Sequence, residues 1–232
     1  CLCGDRTEQS FTFLFGNGGN GKGVFLKVLM DIMGDYSAGV DANSFMAQKF
    51  GDAGTSDIAR LHNVRLAVVD ETPKGCVFNE KRIQAVTGGG RLTARLLHQN
   101  FFEFVPKFRL IMAGNYKPMI RSTGQAMRRR LHMFPALGKI AIDKQDRDLS
   151  AKLEAEYPAI LAWMLEGFKL WQADGLKPPS EMIAATESYL ESEDTVADWI
   201  EDRCKQTVGH KINRVDAYKD YKTWCQAQGK EH

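Results

Sequence analysis

Residues 11–33 read FTFLFGNGGNGKGVFLKVLMDIM. Phe11 to Phe15 is a short apolar, β-prone run, which predicts a buried strand. A glycine-rich turn follows at once. From Val24 to Met33 the apolar residues Val24, Leu26, Val28, Leu29 and Met33 recur at helical spacing, with Gly34 as a stop. Between strand and helix, Gly16, Asn17, Gly18, Gly19, Asn20, Gly21, Lys22 and Gly23 fit the pattern GxxxxGK, and Val24 continues into the helix. Glycines in such a loop let successive backbone N–H groups converge on phosphate oxygens, and the helix N-terminus adds positive potential. Lys22 can then reach the β- and γ-phosphates of a nucleoside triphosphate as a mobile point charge. A glycine-rich turn that binds nothing would not need strand, loop, lysine and helix in this order. One departure stands out: the Ser or Thr whose hydroxyl usually meets Mg²⁺ after the lysine is Gly23 here.

A phosphate loop of this kind needs a neighbouring strand that ends in acids. Val64–Val69 supplies it, closing on Asp70 and Glu71. Asp70 is placed to hold Mg²⁺ through water and Glu71 to polarise the attacking water. A third apolar run, Phe108–Ala113, ends at Gly114 and Asn115, whose amide can bond the γ-phosphate or orient the lytic water. Arg128, Arg129 and Arg130 precede a shorter strand at Leu131–Phe134. Three adjacent arginines cannot all point one way, and one or two can project into a neighbouring copy's ATP site, where an arginine stabilises transferring charge.

Elsewhere the pattern predicts a helix near Ser44–Phe50, a helix over Glu80–Val86 halted by Gly88, and a hairpin whose arms, Leu92–Leu97 and Phe101–Val105, flank His98, Gln99 and Asn100. Beyond Pro135 only helices are expected: Ala151 to about Trp171, Ser180 (as cap) to Leu190, Thr195–Cys204 and Val215–Gln228. Strands alternating with helices, then helices alone, give an α/β P-loop core with a mainly helical C-terminal extension. The expected divisions are 1–136 for the core, 137–204 for the helical extension and 205–232 for a last segment, which the resemblance given below makes the start of a winged-helix-like module cut short.

The 232 residues carry 31 basic and 29 acidic side chains, a net charge of +2, so overall charge names no partner. The balance conceals segregation. Residues 81–130 hold eleven Lys and Arg with Glu103 as the one acid, and residues 181–202 hold eight acids with no Lys or Arg. The basic stretch suggests a polyanion-facing surface; the acidic stretch reads as a solvated helix face. The five scattered cysteines, Cys1, Cys3, Cys76, Cys204 and Cys225, form no metal-ligand spacing and are expected as free thiols. No apolar run reaches membrane length, which gives the expectation of a cytoplasmic protein, in a prokaryotic cell or in the host of a phage or mobile element. The absence of an initial Met suggests a segment of a longer chain.

The order GNGGNGKG, LAVVDE, TGGGRLTAR, LIMAGN and AMRRRLHMFP resembles that of superfamily 3 helicases, in particular the helicase domain of phage and plasmid primase-helicases, the group related to poxvirus primase-helicase. LEAEYPAILAWMLEGFKLWQADGLKPP and SYLESEDTVADWIED resemble that family's helical segment, and VDAYKDYKTWCQAQG the start of its winged-helix-like module. The resemblance implies an AAA+-type motor, usually a hexamer, that uses ATP and Mg²⁺, translocates on single-stranded DNA and unwinds forked duplex, with a primase domain possible in the full-length chain. It matches Gly16–Gly23 to Walker A, Asp70 and Glu71 to Walker B, Asn115 to the sensor, Arg129 or Arg130 to the trans-acting arginine, and Arg91–Phe104 to a pore hairpin. Gly90 stands where the family often has Asp, and Gln84 where Lys is common.

Around that hairpin, Arg91, Arg95, Lys107 and Arg109 would gather phosphates largely regardless of sequence, while His98, Gln99 and Asn100 could bond phosphate or sugar. Phe101, Phe102 and Phe104 are expected as packing, as are Trp163, Trp171, Trp199 and Trp224. Two other readings remain open: a P-loop enzyme of another class, such as a small-molecule kinase, and a DNA-binding or assembly module with weak or no turnover, which Gly23 motivates.

Overall fold

The structure, a computed structural model, describes residues 1–5, 7–48, 55–121, 123–205, 207 and 209–229. In chain order the elements are β1 (Phe11–Phe15), α1 (Lys22–Met33), β2 (Ser37–Gly39), α2 (Ser56–Ala59), β3 (Leu66–Val69), α3 (Glu80–Thr87), β4 (Leu92–Ala94), β5 (Phe102–Phe104), β6 (Arg109–Gly114), α4 (Gln125–Arg128), β7 (Leu131–Pro135), α5 (Leu149–Ala155), α6 (Tyr157–Asp174), α7 (Ser180–Ser192), α8 (Thr195–Arg203) and α9 (Arg214–Ala227). Five strands form one parallel sheet in the order β2-β3-β6-β1-β7, and β4 pairs with β5 as a separate antiparallel hairpin.

A parallel sheet covered on both faces needs strands that are apolar throughout. All four residues of β3 are buried, and only Thr12 and Phe15 of β1 are partly exposed. Alternate side chains serve opposite faces. Leu14, Leu66, Val68 and Ala113 pack with Leu26, Leu29 and Met33 of α1. Phe11, Phe13, Ala67, Val69, Leu110, Met112 and Met133 join Phe78, Ile83, Tyr189 and Leu190 on the other side. Trp199 and Trp224, with Cys225, build a small separate cluster between α8 and α9, and their indole N–H groups donate to Asp220 and Asp202.

Four expectations need correction. No helix forms over residues 45–48: Asp41 turns the chain by accepting the Asn43 N–H, and Phe45 and Met46 are both buried, Met46 in an antiparallel bridge to Phe78. Residues 49 and 50 of that stretch lie outside the described residues. The helix expected from Ala151 to Trp171 is broken at Glu156, because Pro158 lacks an N–H and fits the first turn of a new helix better than the middle of an old one. Ser180 starts α7 inside its first turn; its hydroxyl bonds Glu181 and caps nothing. The acidic run is not simply solvated. Glu187 pairs with Arg128, Glu193 accepts the Ile120 N–H at 2.9 Å, and Asp194 accepts from Thr123 at 3.2 Å.

Among the aromatic residues expected to pack, Phe102 and Phe104 stack on each other and meet the His62 ring edge-on. Phe101 and Trp163 instead face solvent, 60 % and 64 % exposed. All five cysteines are free. Among the described residues no helix is long and apolar enough to cross a membrane.

Candidate active site

Parallel strands deliver their C-terminal ends to one edge of the sheet. The register pairs Phe15 with Gly114 and Val69 with Met112. The glycine loop after β1, Asp70 and Glu71 after β3, and Asn115 after β6 therefore share that edge, with β6 lying between the other two strands.

The loop is held by side chains and backbone of its own neighbourhood. Lys22 is buried, and its ammonium donates to Gly16 O at 2.6 Å, to Asn20 Oδ1 at 3.0 Å and to Asn115 Oδ1 at 3.3 Å. Burial pulls this ammonium below its ordinary pKa, and the Asp70 carboxylate opposes that pull. Asn20 reaches the other way, donating to Ala136 O at 2.5 Å, and Ile140 N–H donates to Gly19 O at 2.9 Å. The segment after β7 thus braces the loop from one side. A Cβ at Gly16 would lie 2.1 Å from Ala136 O, so only glycine allows this approach. Gly21 precedes α1 with φ +84° and no side-chain cap, which leaves the first-turn N–H groups of the helix without an intrahelical acceptor. A Cβ at Gly18, Gly19 or Gly21 would meet nothing within 4 Å, so the outer face of the loop opens on solvent.

Among the described residues no group of three or more His, Cys, Asp or Glu gathers as a metal cage; the two carboxylates at this edge suit only an ion held largely by water and triphosphate oxygens. Asp70 and Glu71 are exposed, and a Cβ at Gly23 would point into space with Asp70 Oδ1 4.0 Å away, the nearest atom. Gly23 therefore leaves open the volume that a hydroxyl side chain would fill beside Asp70. Two residues at this edge were not singled out from sequence. Thr72 is buried, and its Oγ1 would be only 2.0 Å from a Cβ at Gly114; the glycine before Asn115 is what lets the two strand ends close together. Two small residues, Ala113 and Gly114, ahead of Asn115 are the one sequence signal of this approach.

The arginines lie elsewhere. β7 runs parallel to β1 with Leu131 opposite Phe11, so Arg129 and Arg130 sit at the N-terminal edge of the sheet. Five residues of strand separate them from the loop of their own chain, about 16 Å at about 3.3 Å per residue. Arg130 is buried, and its guanidinium donates to Thr87 Oγ1 at 3.1 Å, Ala126 O at 2.7 Å and Gln9 Oε1 at 3.2 Å. Burial, with Arg129 alongside, lowers its pKa. Arg128 is taken by Glu187. Arg129 is exposed and lines an open cavity of about 380 Å³ with residues 7–10, His132, Leu176 and Pro178. Glu8 in that wall already accepts from Trp171 and from Leu176 N–H.

On the β4–β5 hairpin, Arg91 lies 4.0 Å from Glu103, and Arg95 stacks on the exposed Phe101 ring with 4.7 Å to its centroid. His98 turns the tip with φ +59°, and Gln99, Asn100 and Lys107 are exposed. Arg109 does not join them: it is partly buried in β6 and donates to the Glu8 carbonyl.

A five-stranded parallel sheet of this order, with a glycine–lysine loop between a central strand and its helix and carboxylates after β3, defines the P-loop NTPase class of α/β fold. Within it, the chain belongs to the family of unknown function DUF5906, which matches residues 14–130, just over half of the chain. It is 26% identical to "Putative helicase L207/L206" of Acanthamoeba polyphaga mimivirus over 244 residues and to "Putative helicase 022R" of Frog virus 3 over 247 residues, covering 97% of this chain and 25% of each relative. It is also 26% identical to "Putative primase C962R" of African swine fever virus over 129 residues, 55% of this chain and 13% of the relative. The chain thus spans about a quarter of the length of the first two. Among solved structures, the apo A form of the NrS-1 C-terminal region superposes with a TM-score of 0.55 at 14% identity, covering 98% of this chain and 60% of that one, a likeness of fold.

Proposed function

We propose that this domain is the ATP-hydrolysing motor of a DNA helicase, of the kind found in primase-helicases, working as a ring of copies on single-stranded DNA. The observation that carries the reading is the division of the site between two edges of one sheet. Lys22, Asp70, Glu71 and Asn115 share the C-terminal edge, and the exposed Arg129 sits at the other. An arginine about 16 Å from its own phosphate loop serves a triphosphate only if a second copy presents that loop.

In this account the loop amides and the α1 N-terminus seat the phosphates, and Lys22 exchanges its present acceptors for β- and γ-oxygens. Asp70 is the residue that would hold Mg²⁺, through water, where the ion neutralises triphosphate charge. Glu71 polarises the attacking water, Asn115 orients it, and Arg129 of the adjoining copy meets the charge that develops on transfer. Of the two arginines the resemblance allows, Arg129 is the better candidate, because Arg130 already spends its donors inside its own subunit. The hairpin, with Arg91, Arg95, Lys107 and the tip His98–Asn100, holds the strand by its backbone and moves as the interface shifts. The helical part after residue 136 and the α9 region are proposed as separate modules of the motor.

ATP hydrolysis measured with and without single-stranded DNA tests this. A motor accelerates on adding DNA. DNA binding that neither needs nucleotide nor changes turnover supports the assembly-module reading, and phosphate transfer to a small acceptor supports a kinase.

A further inference from the structure

The β4–β5 hairpin has two faces, and strand alternation assigns them. The antiparallel register pairs Leu92 with Phe104, Thr93 with Glu103 and Ala94 with Phe102. Ala94 and Phe104 are buried in the main core, and Leu92, Leu96 and Phe102 pack against it. The side chains between them stand on the opposite face, where Arg91, Arg95, Phe101 and Glu103 are all exposed, and Lys107 follows, exposed as well. One further step of the register sets Phe101 opposite Arg95, whose guanidinium lies 4.7 Å from the ring centroid. The Arg95 N–H donates to Thr55 Oγ1 at 3.3 Å, which ties this end of β4 to the body of the domain. The tip is fixed in its turn: His98 takes φ +59°, and the Gln99 N–H donates to Leu96 O at 3.1 Å.

Phe101 remains 60 % exposed with Arg95 stacked on it, so the guanidinium does not close the ring off. A single exposed apolar side chain is ordinary on a protein surface. Phe101 differs in its company. It stands among Arg91, Arg95 and Lys107, and Glu103, the one acid in residues 81–130, lies toward Arg91. An apolar protein surface that covered the ring would have to bury the neighbouring guanidinium too, which is costly without a carboxylate to meet it. A nucleotide of single-stranded DNA brings both halves of the match, a flat base for the ring and a phosphate for the cations. We infer that Phe101, with Arg95 stacked upon it, is a platform for an unpaired base of single-stranded DNA; the inference rests on the reading of the hairpin as the element that holds the strand. It adds a base contact to a grip otherwise made through the DNA backbone. Every base has a π-face, so the contact tolerates any sequence, and in a duplex those faces are already taken by neighbouring bases.

The test is equilibrium binding of the full chain to two labelled oligonucleotides of equal length, one an ordinary single strand and the other abasic throughout. Phe101→Leu keeps the apolar bulk and removes the flat ring. It is expected to weaken binding of the ordinary strand by about 5- to 100-fold and to leave binding of the abasic strand at the wild-type level. The slope of log affinity against log salt should stay as it is, because no phosphate contact is lost. Phe101→Trp offers a larger flat face and is expected to bind the ordinary strand at least as tightly as wild type. Equal weakening on both strands would make the ring a prop for the hairpin, and wild-type affinity of Phe101→Leu for the ordinary strand would leave the ring no part in binding. Either result overturns the platform, and a reduced salt slope in Arg95→Ala would still keep the hairpin on the DNA surface. A change of molecular mass in Phe101→Leu at unaltered affinity would assign the ring to a contact between copies and overturn it too. If the wild-type protein binds neither strand, the hairpin reading fails and the platform falls with it.

Discussion

Two arginines adjacent in the chain should fail in opposite ways when truncated. Arg130 is 6 % exposed and gives hydrogen bonds to Thr87, Ala126 O and Gln9. Arg130→Ala strips three acceptors of a charged donor and leaves a cavity. Each buried acceptor left alone costs about 1–3 kcal/mol. Against this, the variant no longer buries a guanidinium whose hydrogen bonds go to a hydroxyl, a carbonyl and an amide rather than a carboxylate, an arrangement whose desolvation is itself unfavourable. A net loss of about 3 kcal/mol is reasonable, and in a domain of this size each kcal/mol moves Tm by about 2–4 °C, so the melt should fall by about 6–12 °C. Arg129 is exposed, and Arg129→Ala should change stability by no more than about 0.5 kcal/mol. Its effect should fall on turnover, by about 1,000-fold or more for an arginine that meets transferring phosphoryl charge. Thermal melts beside steady-state ATP hydrolysis read both. A stable Arg130→Ala protein that has lost hydrolysis, next to an Arg129→Ala protein that keeps it, would refute the assignment of the two side chains.

Gly23→Ser places a hydroxyl in the open volume beside Asp70 and should lower the Mg²⁺ concentration needed for half-maximal hydrolysis several-fold; an unchanged Mg²⁺ titration counts against Asp70 as the metal-side residue. The Tyr189 phenol is held well above its ordinary pKa, first by burial and then by Glu193 and its neighbours. The folded state therefore keeps a proton that the unfolded chain releases near pH 10, and the contribution present below that pH is lost as the pH rises past it. Urea melts should show stability declining above pH 10, with a shallower decline in Tyr189→Phe. Removing one phosphate-contacting side chain from the hairpin, as in Arg95→Ala, should reduce the slope of log affinity for single-stranded DNA against log salt by about 0.7. Filter binding over a range of salt would measure it, and an unchanged slope would take Arg95 out of the DNA surface.

The edge that gathers the glycine loop, Asp70 and Asn115 was legible because every part of it is local. A strand, a loop of glycines able to take positive φ, a lysine and a helix follow one another in the chain, and Asp70 and Asn115 each directly follow the end of an apolar run. Parallel pairing then brings the pieces to one edge with no further instruction. What decides between Arg129 and Arg130 is not local. Thr87 and Gln9 lie 43 and 121 residues from Arg130, and no pattern within RRR says which guanidinium meets them. The brace of Asn20 on Ala136 spans 116 residues and is equally silent in the sequence. The acidic run misled for a related reason. Its composition fits a solvated face, but the main-chain N–H of Ile120 and the hydroxyl of Thr123 need acceptors, and Glu193 and Asp194 supply them. Pro158, by contrast, was readable, and the broken helix follows from its missing N–H alone.

A trans-acting Arg129 requires that the triphosphate be cleaved between two copies of the chain. Turnover per protomer, followed over a dilution series with molecular mass measured on the same samples, addresses that requirement directly. The rate should collapse as the assembly dissociates and return when protomers are concentrated again. A dissociated protomer that hydrolyses ATP at the full rate would contradict it.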